Sequence, residues 1–257
     1  MPLMRVIVVA SQKGGSGKTT ITGHLAVEAV RNGQGPVAII DTDPQGSLAH
    51  WWNARQAAEP AFVQSSLGSL REDIARLREE GFALVVIDTP PAVTKAISEI
   101  VAFADLVILP TRPSPHDLRA VGATVDILES RSKPMVFVLN GATARARITA
   151  QAAVALSQHG TVAPATVHHR VNFASSMIDG RTVMETDPES PSAQEISALW
   201  MYIRDRLQRR HVVALPGGLH DAPVPQQGFP VTHAIASDAL RPIQPFGRRG
   251  RVEAQGH

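Results

Sequence analysis

Cysteine is absent from all 257 residues. That absence excludes a disulfide scaffold, cysteine-ligated zinc, an iron–sulfur cluster and a thiol nucleophile. No secretory leader is expected, because the first apolar run, Arg5-Val6-Ile7-Val8-Val9-Ala10, is too short and passes into a glycine loop. No apolar run approaches the roughly 20 residues of a spanning helix. A soluble, cytoplasmic protein is the expectation. Lysine is nearly absent too. Of 25 basic residues only Lys13, Lys18, Lys95 and Lys133 are lysines, leaving 21 arginines.

Basic and acidic residues nearly cancel, at a net charge of +2, but unevenly along the chain. Residues 1–140 hold 13 basic and 14 acidic side chains, whereas residues 141–210 hold eight Arg and six acids. Residues 211–257 add four Arg against three acids. The basic C-terminal half is where an anionic partner is expected.

Hydrophobic residues make up 44 %, enough for a sizeable core. Short apolar runs at Val6–Ala10, Val37–Ile40, Leu84–Ile87, Leu106–Leu109 and Met135–Leu139 suit parallel strands buried on both faces. Helical periods lie between and after them, at Thr19–Asn32, Leu67–Glu80, Asp117–Ser130 and Ser192–Arg210. In the second of these, Leu67, Leu70, Ile74 and Leu77 form the apolar stripe. This alternation predicts an α/β fold: a doubly wound, mostly parallel sheet flanked by helices. One domain is expected over 1–210. Residues 211–257, with six Pro and six Gly, are expected to form a disordered tail.

The strongest motif is Ser11-Gln12-Lys13-Gly14-Gly15-Ser16-Gly17-Lys18-Thr19-Thr20, after a strand and opening a helix. Its glycines let successive N–H groups of residues 14–20 converge on phosphate oxygens, and the helix N-terminus adds positive potential. Lys18 can reach the β- and γ-phosphates, and the Thr19 hydroxyl can ligate Mg²⁺. A second motif, Leu84-Val85-Val86-Ile87-Asp88-Thr89-Pro90-Pro91, is an apolar strand ending in an acid. Asp88 there would hold Mg²⁺ through water.

The usual pattern G-x-x-x-x-G-K-[ST] is not met, since its first glycine would fall on Gln12. With its second lysine, the loop resembles the deviant Walker A motif of the ParA/MinD family of P-loop ATPases. The resemblance spans about residues 4–208, and the missing cysteines exclude that family's iron–sulfur branch. It implies that Lys13 reaches across an ATP-bound homodimer to the partner's nucleotide. It implies that Asp43, in Asp41-Thr42-Asp43-Pro44, positions or polarises the attacking water, and that Asp41 supports the metal's water shell. Asn140, ending Val138-Leu139-Asn140, would lie against the adenine. Segments at Leu109–Leu118, Gly180–Glu185 and Ala193–Ile196 also resemble the family, as do Trp51, Trp52 and Arg55. Packing and a dimer interface both remain open for the two tryptophans. A carboxylate, with a reference pKa of about 4, is a poor base for water, so slow hydrolysis resting on positioning and charge neutralisation is expected.

By the same resemblance, the ATP-bound dimer binds DNA without sequence preference and so associates with the nucleoid. A ParB-like or cargo-adaptor protein then stimulates hydrolysis. Candidate DNA contacts are Arg145, Arg147 and Arg170, in a stretch (141–175) without acids, and Arg204 and Arg206 further on. Solvated helix faces or helix ends are the plain alternative for each Arg. The loop begins too early for a preceding helix-turn-helix domain, so operator-specific binding is not expected. The alternative function is a MinD-like membrane-associated ATPase, resting on the stripe Ile196, Leu199, Trp200, Ile203 and Leu207 beside arginines. Helical stripes are more often core, so a membrane is not the expected partner. His24 and His50 are read as packing or surface residues.

Overall fold

The apolar β-branched runs do become strands. The structure, a computed structural model, describes residues 3–91 and 95–213. Strand β1 spans Arg5–Val9, β2 Val37–Asp41, β4 Leu84–Asp88, β5 Leu106–Thr111 and β6 Met135–Ala142. Three short strands join them: β3 Ala61–Gln64, β7 Thr161–Val162 and β8 Val167–His168. The order is β3-β2-β4-β1-β5-β6-β7, with β8 on β6, and every pairing is parallel.

Because side chains alternate along a strand, each strand feeds two cores. Ile7, Val9, Ile39, Val86, Ile108 and Val138 face one. Against them pack α1 (Lys18–Arg31), α2 (Ser47–Asn53), α7 (Val171–Met177), α8 (Val183–Thr186) and α9 (Pro191–Val213). Val6, Val8, Ile40, Ile87, Val107, Leu109 and Phe137 face the other. There α3 (Leu70–Glu79), α4 (Lys95–Val101), α5 (Pro115–Ser130) and α6 (Arg147–Ser157) pack. This is the expected doubly wound sheet. Its carboxyl edge, the usual ligand edge of open α/β sheets, carries Asp41, Asp88, Thr111 and Asn140.

Two sequence expectations need correction here. Leu67 is not on the α3 stripe. Ser66 and Ser69 bond one another and shape a turn before the helix, and Leu67 stands 41 % exposed. The helix at Ser192–Arg210 in turn begins at Pro191 and runs to Val213, past the expected boundary at 210. The rest of the expected tail lies outside the described residues. The α9 stripe is core: Ile196, Leu199, Trp200 and Ile203 are fully buried and Leu207 nearly so. That burial removes the surface on which a membrane-bound alternative rested. Among the described residues, no helix is long and apolar enough to cross a membrane.

Candidate nucleotide site

The loop leaves β1 and turns into α1 at Gly17, whose φ of 92° lies in the left-handed region. A Cβ there would also stand 2.1 Å from the Asn140 side-chain nitrogen. Glycine is therefore required twice over, by backbone angle and by close approach. Asn140 is buried and donates its amide to the Ser16 carbonyl at 2.6 Å. It thus fastens β6 to the phosphate loop. Asn140, expected against an adenine, has the loop backbone as its partner within the chain.

Lys18, the first residue of α1, is buried. Burial pulls its ammonium below the usual lysine range, against the opposing pull of Asp88 and Asp43. The Thr19 hydroxyl donates to Asp88 Oδ2 at 2.6 Å, while Asp88 Oδ1 is buried with no hydrogen-bond partner. Burial, with Asp41 adding to it and the Thr19 bond opposing, pushes the Asp88 carboxyl up to about 7. A buried acid with one free oxygen beside a hydroxyl is a hard-oxygen donor set, and Mg²⁺ fits it. Among the described residues no cluster of three or more His and acidic side chains has metal-holding geometry. Any ion here would therefore keep waters and use phosphate oxygens, as Mg²⁺ characteristically does.

Asp41, expected in the metal's water shell, also organises the backbone around it. Its Oδ2 accepts from the Leu48 and Ala49 backbone amides and its Oδ1 from the Asp43 amide, each at 3.0 Å. It therefore satisfies the first turn of α2, which has no local side-chain cap, and pins the segment that presents Asp43. Asp43 is half-buried and accepts from the Gln45 amide at 3.0 Å. Lys13 Nζ pairs with Asp117 Oδ2 at 2.6 Å, in the first turn of α5. Ser114, the cap of that helix, also bonds Asp117. Asp117 lies within the family-like segment Leu109–Leu118, where nothing local marks it as a partner for Lys13. The missing signal was its distance along the chain, 104 residues from Lys13.

Trp51 is buried, with its indole N–H on the Arg181 carbonyl at 3.1 Å. Trp52 donates to Pro60 and stacks on Phe62. Packing within the chain accounts for both. Arg55 is held by Glu185 through two hydrogen bonds of 2.9 and 2.6 Å. Burial, the largest single influence, would raise the Glu185 carboxyl, but Arg55 and the two Thr182 hydrogen bonds together hold it below the usual carboxylate range. His24 is fully buried, bonded to Thr20 O at 2.8 Å and to the Val183 amide at 3.2 Å. It ties α1 to α8, while His50 is exposed.

The candidate DNA arginines separate into two sets. Arg145 and Arg147 are exposed, and Arg147 opens α6, the end of the macrodipole where a cation is least at home. Helix-dipole pairing therefore does not explain it. Arg170 is not free: Glu195 of α9 folds back to it at 2.6 Å and to His168 at 2.7 Å. Of the three arginines in the acid-free stretch 141–175, Arg170 is thus neutralised in space by a residue twenty positions beyond its end. Arg206 donates to the Tyr202 hydroxyl at 3.1 Å, and Arg204 sits 3.5 Å from Asp205. On a helix, Arg204 lies about 14 Å along the axis from Glu195, so Arg170 and the α9 arginines do not form one tight cluster.

Residues 7–183 match the CobQ/CobB/MinD/ParA nucleotide binding domain family. A "Maintenance of carboxysome distribution protein A" of Halothiobacillus neapolitanus is 29 % identical over 74 % of this chain and 91 % of its own. The "Chromosome-partitioning ATPase Soj" of Thermus thermophilus is 26 % identical over 80 % of this chain and 97 % of its own. Among solved structures, a Cyanothece McdA(D38A)–ATP complex superposes with a TM-score of 0.65 at 18 % identity, covering 81 % of this chain and 98 % of that one. At that identity it speaks for the fold alone.

Proposed function

Because this chain belongs to the CobQ/CobB/MinD/ParA nucleotide-binding family, as a ParA-like P-loop ATPase, we propose that it dimerises around ATP, binds DNA without sequence preference and positions a cargo. The observation that carries the reading is the pair of lysines in one loop, with Lys18 buried at the helix N-terminus and Lys13 42 % exposed beside it. A lysine with that exposure can exchange its Asp117 partner for a phosphate. The relatives named for carboxysome distribution and for chromosome partitioning support a positioning role, and the cargo-bound adaptor would choose the cargo. Residues 1–210 form the catalytic unit in this reading.

The loop amides of Gly14 to Thr20 and the Lys18 ammonium bind the phosphates. Thr19 and Asp88 would hold Mg²⁺, with Asp41 supporting them by fixing the neighbouring segment. When bound, Mg²⁺ neutralises charge on the β- and γ-phosphates. Asp43, presented by that segment, orients water. None of these side chains is a strong base, which supports slow intrinsic hydrolysis that an adaptor accelerates. Arg145 and Arg147 are the best-placed DNA contacts, because they are exposed and unpaired among the described residues.

Light scattering tests the dimer. The Asp43→Ala protein should be dimeric with ATP and monomeric with ADP, and Lys13→Ala should stay monomeric with both. A Lys13→Ala protein that dimerised as well as the parent would overturn the role given to that lysine.

A further inference from the structure

Arg112 immediately follows β5, whose last residue, Thr111, pairs with Leu139 beside Asn140. Its backbone is fixed, since Pro113 follows and its carbonyl accepts from the Ser114 amide at 2.8 Å. Its side chain crosses to Gly141. The Arg112 Nε and Cγ lie 3.5 and 3.6 Å from where a Cβ on Gly141 would be, and Gly141 has a φ of +64°. The arginine stem therefore fills the space that a side chain at 141 would take. Arg112 is exposed, and its guanidinium has no hydrogen bond or ion pair to any described residue. Arg55 and Arg170, by contrast, each hold a carboxylate at 2.6 Å.

The direction of a bound nucleotide follows from the charges. Asp41 and Asp88 stand on β2 and β4, to one side of β1, so the cation and the terminal phosphate belong there. The base must then extend the other way, across the ends of β5 and β6. Asn140, fastened to Ser16, does not block that path as a charged residue would. We propose that Arg112 lays its guanidinium on the adenine of the nucleotide held by its own subunit. The group is planar and weakly hydrated, and it stacks on aromatic faces, which a lysine ammonium does poorly. The inference rests on the reading of Gly14–Thr20 as the phosphate cradle.

Calorimetric titration of the full chain with ADP and with inorganic pyrophosphate, both with Mg²⁺, separates base from phosphate. Arg112→Ala should weaken ADP about five- to tenfold and leave pyrophosphate unchanged within about twofold. Arg112→Lys should not restore ADP binding. Unchanged ADP affinity, equal weakening of both ligands, or full rescue by lysine would each overturn the stacking role. Lys18→Ala should weaken both ligands. If it weakened neither, the phosphate-cradle reading itself would fall, and the Arg112 proposal with it, by a result distinct from the other three.

Discussion

At the residue scale, the buried charges and rings each serve one geometry. His24 is the sharpest case. Full burial outweighs its bond to Thr20 and pulls the ring down to about 4 from 6.5. The unfolded chain therefore binds a proton between those values that the folded protein refuses. The resulting stability is complete above pH 6.5 and is lost as pH falls towards about 4, to the extent of roughly 3 kcal/mol. Urea unfolding of the parent and of His24→Asn should show a stability gap at pH 7 that narrows towards pH 4.5. Parallel pH profiles would show that the ring is not buried as described. Arg55 offers a second case. With its side chain 4 % exposed and bidentate to Glu185, Arg55→Ala strands a half-buried carboxylate. A loss of about 3–5 kcal/mol is expected in the same unfolding measurement.

At the scale of elements, the question is which arginines are available. Glu195 occupies Arg170 across the α7–α9 boundary, although burial alone would raise its carboxyl. The hydrogen bonds from Arg170 and His168 keep it below the usual carboxylate range. Replacing Glu195 with Ala should strengthen DNA binding and steepen its salt dependence by about one unit of slope as Arg170 is released. Arg145→Ala and Arg147→Ala should each flatten the slope by a similar amount. An unchanged slope in both would remove the β6–α6 connection from the DNA surface. The sequence could not reveal this division. Period and composition expose an acid-free stretch, but not an acid that returns to it from another helix. Long apolar strands and the glycine loop were legible because burial on both faces and phosphate binding write themselves into consecutive residues. β3, with four residues at the sheet edge, and α8, with four residues capped by Thr182 and Glu185, carry too short a pattern to read.

At the scale of the whole molecule, one face of the sheet and its carboxyl edge do different work. One face packs α9 and buries the stripe that a membrane would need. The carboxyl edge gathers Asp41, Asp88 and Asn140 from three strands, Lys13 from the β1–α1 loop and Lys18 from α1. Lys13 illustrates the coupling between residue and assembly. Its bond to Asp117 satisfies it within one chain, and the proposed reach across an ATP-bound dimer would have to break that pair. In the proposed function, DNA binding depends on nucleotide state through the dimer. Co-sedimentation of the Asp43→Ala protein with sequence-unrelated DNA tests that link most directly, comparing ATP with ADP, and ATP-loaded Asp43→Ala with ATP-loaded Lys13→Ala. The account predicts retention on DNA only for Asp43→Ala with ATP. Equal retention in all three samples would contradict it.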